Sequence, residues 1–181
     1  MSVPQNKDAS RVYWLTGLSG AGKSTHARRL VDWLRRSGRT ALLLDGDDLR
    51  EALGAGKLFS LPDRYALAFC YARLCRLLAL QQTDVVIATI SLFADVHAWN
   101  RVNLPGYVEI LLDTPLEVLR RRDPKGLYAQ SDNGFPNVAG IDLAIDMPKS
   151  PDIALTHRDR ESVDMAFARL LVAIERLPGV E

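Results

Sequence analysis

Gly17-Leu18-Ser19-Gly20-Ala21-Gly22-Lys23-Ser24-Thr25 follows the apolar run Val12-Tyr13-Trp14-Leu15 and leads into a helix-like stretch. A glycine, four residues, Gly-Lys and a hydroxyl residue form the pattern of a phosphate-binding loop, and Gly17, Gly22, Lys23 and Ser24 fill it. A strand before and a helix after are the context that this chemistry needs. Gly17, Gly20 and Gly22 let the backbone turn without a Cβ in the way, so successive N–H groups can point at a β-phosphate. The helix adds its positive N-terminal end. Lys23 is placed to reach β- and γ-phosphate oxygens, and the Ser24 hydroxyl to ligate the magnesium that bridges them. Ser19, Ala21 and Thr25 belong to the same nucleotide-binding stretch, Thr25 reading otherwise as an ordinary helix residue. A triphosphate is the implied ligand.

The bulk numbers bound the rest. The 181 residues are expected to form a single domain, with a flexible N-terminus over residues 1–10. A formal net charge of +1 favours neither a nucleic-acid groove nor a membrane surface as main partner. Cys70 and Cys75 lie five apart in an apolar helical stretch, a spacing that fits neither a zinc pair nor a redox Cys-x-x-Cys, so both read as buried free thiols. The N-terminus lacks the apolar core of a signal peptide and no apolar run reaches membrane-spanning length, so the expected location is cytoplasmic.

Short β-like runs alternate with longer helical patterns, which predicts an α/β fold with a five-stranded parallel sheet flanked by helices. The expected strands are residues 12–16, 40–44, 83–90, 107–112 and 152–156. The expected helices are about 23–37, stopped by Gly38, then 62–80, 116–121 and 162–176. Residues 123–151 carry three prolines after Pro124 and three glycines with little periodicity, and read as a loop of lid length. In open parallel sheets ligands bind at the carboxyl ends of the strands, so residues 45–50, 89–93 and 113 onward should converge near the phosphate loop. Asp45-Gly46-Asp47-Asp48-Leu49-Arg50 puts carboxylates and an arginine there. They suit a metal-bound triphosphate and an attacking hydroxyl, or equally a solvated turn.

Taken together, residues 17–25, Asp45-Gly46-Asp47 with Arg50, Phe59-Ser60, Asp63-Arg64, Ile90-Ser91 and Asp113-Thr114-Pro115-Leu116-Glu117 resemble the adenylylsulfate (APS) kinase family. Arg122-Asp123-Pro124-Lys125-Gly126-Leu127-Tyr128, Gly140-Ile141-Asp142 and Pro151-Asp152-Ile153 extend the resemblance to residue 156. It implies a P-loop kinase fold and transfer of the ATP γ-phosphate to the 3′-hydroxyl of APS, giving 3′-phospho-APS, the chemistry of sulfate assimilation. By the same resemblance Lys23, Asp47 and Ser91 are catalytic candidates, and Ser24 and Asp47 the metal candidates. Asp45, Asp47, Arg50, Phe59, Arg64, Ile90, Ser91, Lys125 and Leu127 become acceptor-binding candidates, with Phe59 stacking on the acceptor base. Arg122 would pack against the adenine of ATP. Family members often form dimers, so a homodimer is a further expectation.

The departures from the family pattern fall on the acceptor side. An Asn and a pair of arginines that contact APS in the family are replaced here by Leu67, Phe69 and Cys70. The Ile-Ser-Pro segment reads Ile90-Ser91-Leu92, and Trp99-Asn100-Arg101 is a candidate part of an altered pocket. The broader family includes kinases of other activated nucleotides, such as cytidine diphosphoramidate. Three readings therefore stand: an APS kinase, a kinase of another activated nucleotide, and a nucleotide-binding regulatory protein.

Overall fold

The computed structural model describes residues 10–56, 58–134 and 136–178. The expectation of a flexible segment over residues 1–10 lies, apart from Ser10, outside the described residues. Five parallel strands, β1 (Val12–Thr16), β2 (Ala41–Asp45), β3 (Asp84–Ala88), β4 (Tyr107–Asp113) and β5 (Ile153–Thr156), form one sheet in the order β2-β3-β1-β4-β5. Seven helices connect and flank them among the described residues: α1 (Lys23–Arg36), α2 (Gly46–Ala52), α3 (Leu61–Ala79), α4 (Ala94–Asn103), α5 (Leu116–Arg122), α6 (Leu127–Asp132) and α7 (Val163–Glu175).

The central strands are mostly apolar because helices cover both faces of the sheet, with buried Asp84 in β3 and Glu109 in β4 as charged exceptions. β1 shows the alternation: Tyr13 and Leu15 enter a core with Leu30 and Leu34 of α1 and Leu170 and Ile174 of α7, whereas Val12 and Trp14 enter a second core with Ala68, Tyr71 and Cys75 of α3. Full burial of a side chain such as Leu30 contributes about 1.5 to 3 kcal/mol, which is the scale on which each helix is held. Helix ends follow local chemistry. Ser60 accepts from the Asp63 N–H at 3.3 Å at the start of α3, and Gly38, at φ 82°, turns the chain away after α1.

Three helices lie where no helix was expected. α2 occupies the Asp-Gly-Asp-Asp tract that also reads as a turn, because the Asp45 carboxylate accepts from the Asp47 N–H at 3.1 Å and caps a helix there. α4 follows Phe93, which offers no side-chain cap, and its first N–H is met instead by Asp146 at 3.1 Å. α6 lies inside the 123–151 segment, which is therefore not all loop. The Asp123 carboxylate accepts from Tyr128 N at 3.2 Å and Ala129 N at 2.9 Å, which nucleates this turn. Both cysteines are free, Cys75 buried and Cys70 only half-buried. No described helix is long and apolar enough to cross a membrane.

Candidate active site

The carboxyl ends of β1, β2 and β3 open into a cavity of about 470 Å³. At its floor is the glycine-rich loop. Gly17 sits at φ 143° with the Leu112 carbonyl oxygen 2.6 Å from where a Cβ would be, so only glycine allows the loop to pass β4 this closely. Gly22, at φ 96°, is the residue before α1, and its carbonyl accepts the first helical N–H, that of His26, at 3.0 Å. Ser19, Gly20, Gly22, Lys23, Ser24 and Thr25 line the cavity. Gly17 and Ala21 support the loop from behind, Ala21 being buried.

Lys23 folds back over the loop, its ammonium donating to the Gly17 carbonyl at 2.9 Å and the Leu18 carbonyl at 2.7 Å. Burial in this position, and secondarily the charge of Lys125, push its pKa down to about 8. A polyanion would restore the charged form. Among the described residues the ammonium therefore sits over the loop with no carboxylate as a direct partner.

The two carboxylates after β2 have different surroundings. Asp45 is buried, and while one oxygen caps α2 the other, Oδ2, has no hydrogen-bond partner among the described residues. An orphaned buried carboxylate oxygen is costly unless something else meets it. Asp47 is exposed and ion-paired with Lys125, which reaches across from beyond α5. A magnesium ion takes hard oxygen donors and keeps several waters, so Ser24 Oγ, the Asp45 and Asp47 carboxylates and a triphosphate suit it without a dedicated cage. Among the described residues no cluster of three His, Cys, Asp or Glu side chains would form such a cage.

Opposite the loop, Phe59 exposes its ring at the cavity wall, with the Arg50 guanidinium 4.8 Å and the Arg64 guanidinium 5.7 Å from the ring centre. Arg64 is itself anchored, donating to the Phe59 carbonyl at 3.0 Å and the Asn137 carbonyl at 2.8 Å. Burial, then the nearby Arg50, lower its pKa. Two like charges held on one aromatic ring make a place for an anion. After β3, Ile90 and Ser91 line the same cavity; Ser91 is buried at φ 27°, its hydroxyl 2.8 Å from that of Thr89. Lys125 and Leu127 complete this side.

Several expectations change with these positions. Of the three replaced family positions only Leu67 reaches the cavity, beside Tyr71 and Leu92. Phe69 packs edge-on against Tyr65 and Trp99 instead, at centroid distances of 5.1 and 6.2 Å, and Cys70 lies half-buried outside the cavity lining. Trp99-Asn100-Arg101 does not line it either: Asn100 is fully buried and Arg101 turns to Glu109 and Asp152. Between residues 113 and 134 the chain reaches the cavity through Pro124, Lys125 and Leu127, while Arg122 does not line it and has its guanidinium 3.3 Å from His157 Nδ1. Sequence reasoning missed the return limb of the 123–151 segment. Val138, Ala139, Leu143 and Ile145 close the wall there, folded by Asp142, which accepts from the Asn137 and Val138 N–H groups. An Asp four to five residues past the turn is the signal that could have found it.

The family model for adenylylsulphate kinase matches residues 9–156. The chain is 40% identical over 162 residues to an adenylyl-sulfate kinase of Deinococcus deserti, covering 89% of each chain. It is 33% identical over 159 residues to a cytidine diphosphoramidate kinase of Campylobacter jejuni, covering 87% of this chain and 92% of that one. The solved structure of the APS kinase of Mycobacterium tuberculosis in complex with AMPPNP and APS superposes with a TM-score of 0.82 at 35% identity, over 92% of this chain and 98% of that chain.

Proposed function

The chain belongs to the adenylylsulphate kinase family, and from that premise we propose that it transfers the γ-phosphate of ATP to the 3′-hydroxyl of APS, releasing ADP and 3′-phospho-APS. One observation carries the reading. The phosphate loop with Lys23, the carboxylates Asp45 and Asp47, and the Arg50–Phe59–Arg64 wall converge on a single cavity from separate elements. A cavity of about 470 Å³ suits small nucleotides and not a nucleic-acid polymer.

In the proposed reaction the acceptor hydroxyl attacks the γ-phosphorus, the bond to the β-γ bridging oxygen breaks, and the proton leaves toward Asp47 or water. Phosphoryl transfer needs little covalent help, so the protein acts by positioning and charge. Magnesium, when bound, neutralises charge on the β- and γ-phosphate oxygens. Lys23 releases the loop carbonyls and takes the phosphate oxygens. Ser24 and the orphaned Asp45 oxygen would hold the metal or its waters, and Asp47, freed from Lys125, faces the acceptor hydroxyl. Phe59 stacks on the acceptor base, Arg50 and Arg64 hold its anionic end, and Arg122 covers the ATP adenine. Residues 123–151 act as the lid that excludes water.

Leu67 favours a second acceptor of the same type. An apolar side chain on the acceptor wall gives a sulfated phosphate nothing to bond, so another activated nucleotide, such as cytidine diphosphoramidate, is the alternative. Coupled ADP release with ATP and magnesium, on APS and on a panel including cytidine diphosphoramidate, decides. Turnover on APS supports the first reading, and turnover only on another nucleotide the second. Silence on all of them, with Lys23→Ala as blank, leaves the regulatory reading.

A further inference from the structure

The stretch from Ile90 to Phe93 joins the acceptor wall to α4, its Ile90 carbonyl accepting from the Thr16 hydroxyl and its Leu92 buried. It follows β3 as a short strap lining the cavity, and Ser91 within it sits at φ 27°. Its far end is continuous with α4, and α4 is held from two directions by residues that do not line the cavity at all.

At the N-terminal end, Asp146 brackets the strap. Its backbone N–H donates to the Leu92 carbonyl at 2.9 Å, and its carboxylate accepts from the Ala94 N–H at 3.1 Å. This supplies the cap that Phe93 lacks. On the inner face, Glu109 of β4 lies under α4 and is only 3% exposed. Its Oε1 is 2.5 Å from His97 Nδ1 and accepts from the Tyr107 hydroxyl at 3.0 Å, while Oε2 accepts from Arg101 at 2.9 Å. Arg101 continues outward to the Ser150 carbonyl at 3.0 Å and to Asp152 at 3.2 Å, and Asp152 in turn accepts from the Glu109 N–H at 2.8 Å. Burial acts to raise the Glu109 carboxyl, but His97, Tyr107 and Arg101 outweigh it and hold its pKa below the ordinary carboxylate range.

A carboxylate in the middle of a sheet face is an expensive way to gain stability, since well-packed apolar side chains of similar volume do as well or better. What directed ion pairs give that an apolar contact does not is one fixed placement of the helix on the sheet. His97 and Arg101 are four residues apart, hence on one face of α4, and both close on the same carboxylate.

We infer that Glu109 and Asp146 are positioning residues for the acceptor, fixing α4 on the sheet and at its N-terminal end and so holding residues 90–93 against the bound nucleotide. The inference rests on the kinase reading above. It gives Arg101 a role behind the wall instead of in the pocket.

The test uses the full chain as wild type, Glu109→Gln, Asp146→Ala and Asp146→Asn. Both of the first two variants should raise the acceptor KM by about tenfold while leaving the ATP KM within about twofold, because the phosphate loop is supported by other elements. Asp146→Asn keeps an oxygen for the Ala94 N–H and should stay near wild type. Ligand-free amide exchange should speed up across residues 91–97 in Glu109→Gln and Asp146→Ala, with residues 12–25 unchanged. Equal rises in both KM values, or an unchanged acceptor KM, would overturn the inference. If Glu109→Gln does not fold, Asp146→Ala, at an exposed position, decides alone. If the wild type phosphorylates none of the acceptors tested, the kinase reading fails, while the exchange pattern still decides whether the strap is held in this way.

Discussion

The two sides of the cavity are built on opposite plans. The donor side is a run of neighbouring residues, 17–25, whose shape is set by glycine conformations and by the start of α1. The acceptor side takes Arg50 from α2, Phe59 and Arg64 from the entry to α3, Ser91 from the strap after β3, and Val138 and Ile145 from the return limb of the 123–151 segment. A contiguous loop can be conserved in shape with little regard to its surroundings, whereas a wall assembled from four places changes with any of them. This is why a kinase of this architecture can keep its phosphate donor and alter its acceptor.

The largest expected effect breaks the donor side. Lys23→Ala should lower kcat/KM by about a thousandfold or more with the fold intact, read from steady-state rates and far-ultraviolet circular dichroism. An unchanged rate would remove the loop from the reaction. Asp45→Asn comes next. It should lower kcat by about a hundredfold with ATP affinity little changed, measured by turnover and by nucleotide titration, if its orphaned oxygen serves the metal and its waters. Equal loss of binding and turnover would instead make Asp45 only the cap of α2.

Leu67→Asn sharpens the acceptor side. It should shift the ratio of kcat/KM for APS over cytidine diphosphoramidate by about tenfold toward APS, since a polar partner replaces an apolar one at the wall. A ratio that does not move would place acceptor choice elsewhere. The smallest effect concerns pH. With the Lys23 pKa pushed down to about 8 in the free protein, a bound triphosphate should raise it again, so binding takes up a proton as pH passes 8. ATP affinity should then fall by about fivefold from pH 8 to pH 9, and the protonation is measurable by calorimetry in buffers of different ionisation enthalpy. Proton release in that window would contradict the assignment of the shift to burial of Lys23.

Legibility divided along the same line as the plans. β1 and α1 lie within a residue of where periodicity put them, because both are determined by neighbours in sequence. α3 and α7 were legible from their helical periodicity, and the structure adds the serine caps Ser60 and Ser162 at their starts. α2 was open to misreading because the same aspartates serve a turn or a helix cap. α4 was not legible, since its first N–H is met by a carboxylate 52 residues away. Phe69 and Cys70 share α3 with Leu67, yet only the orientation of α3 on the sheet decides that Leu67 alone faces the cavity.

What the sequence determined by itself was the parallel α/β fold, the phosphate loop and the family, because each rests on local periodicity, on glycine φ angles or on a spacing of a few residues. The tertiary structure decided that Asp47 meets Lys125 while one Asp45 oxygen has no partner among the described residues, that Arg101 points to Glu109 and not into the pocket, and that Asp146 caps α4. Those are contacts between residues far apart in the chain, and a side chain's partner at such separations exists only once the sheet and its helices have packed.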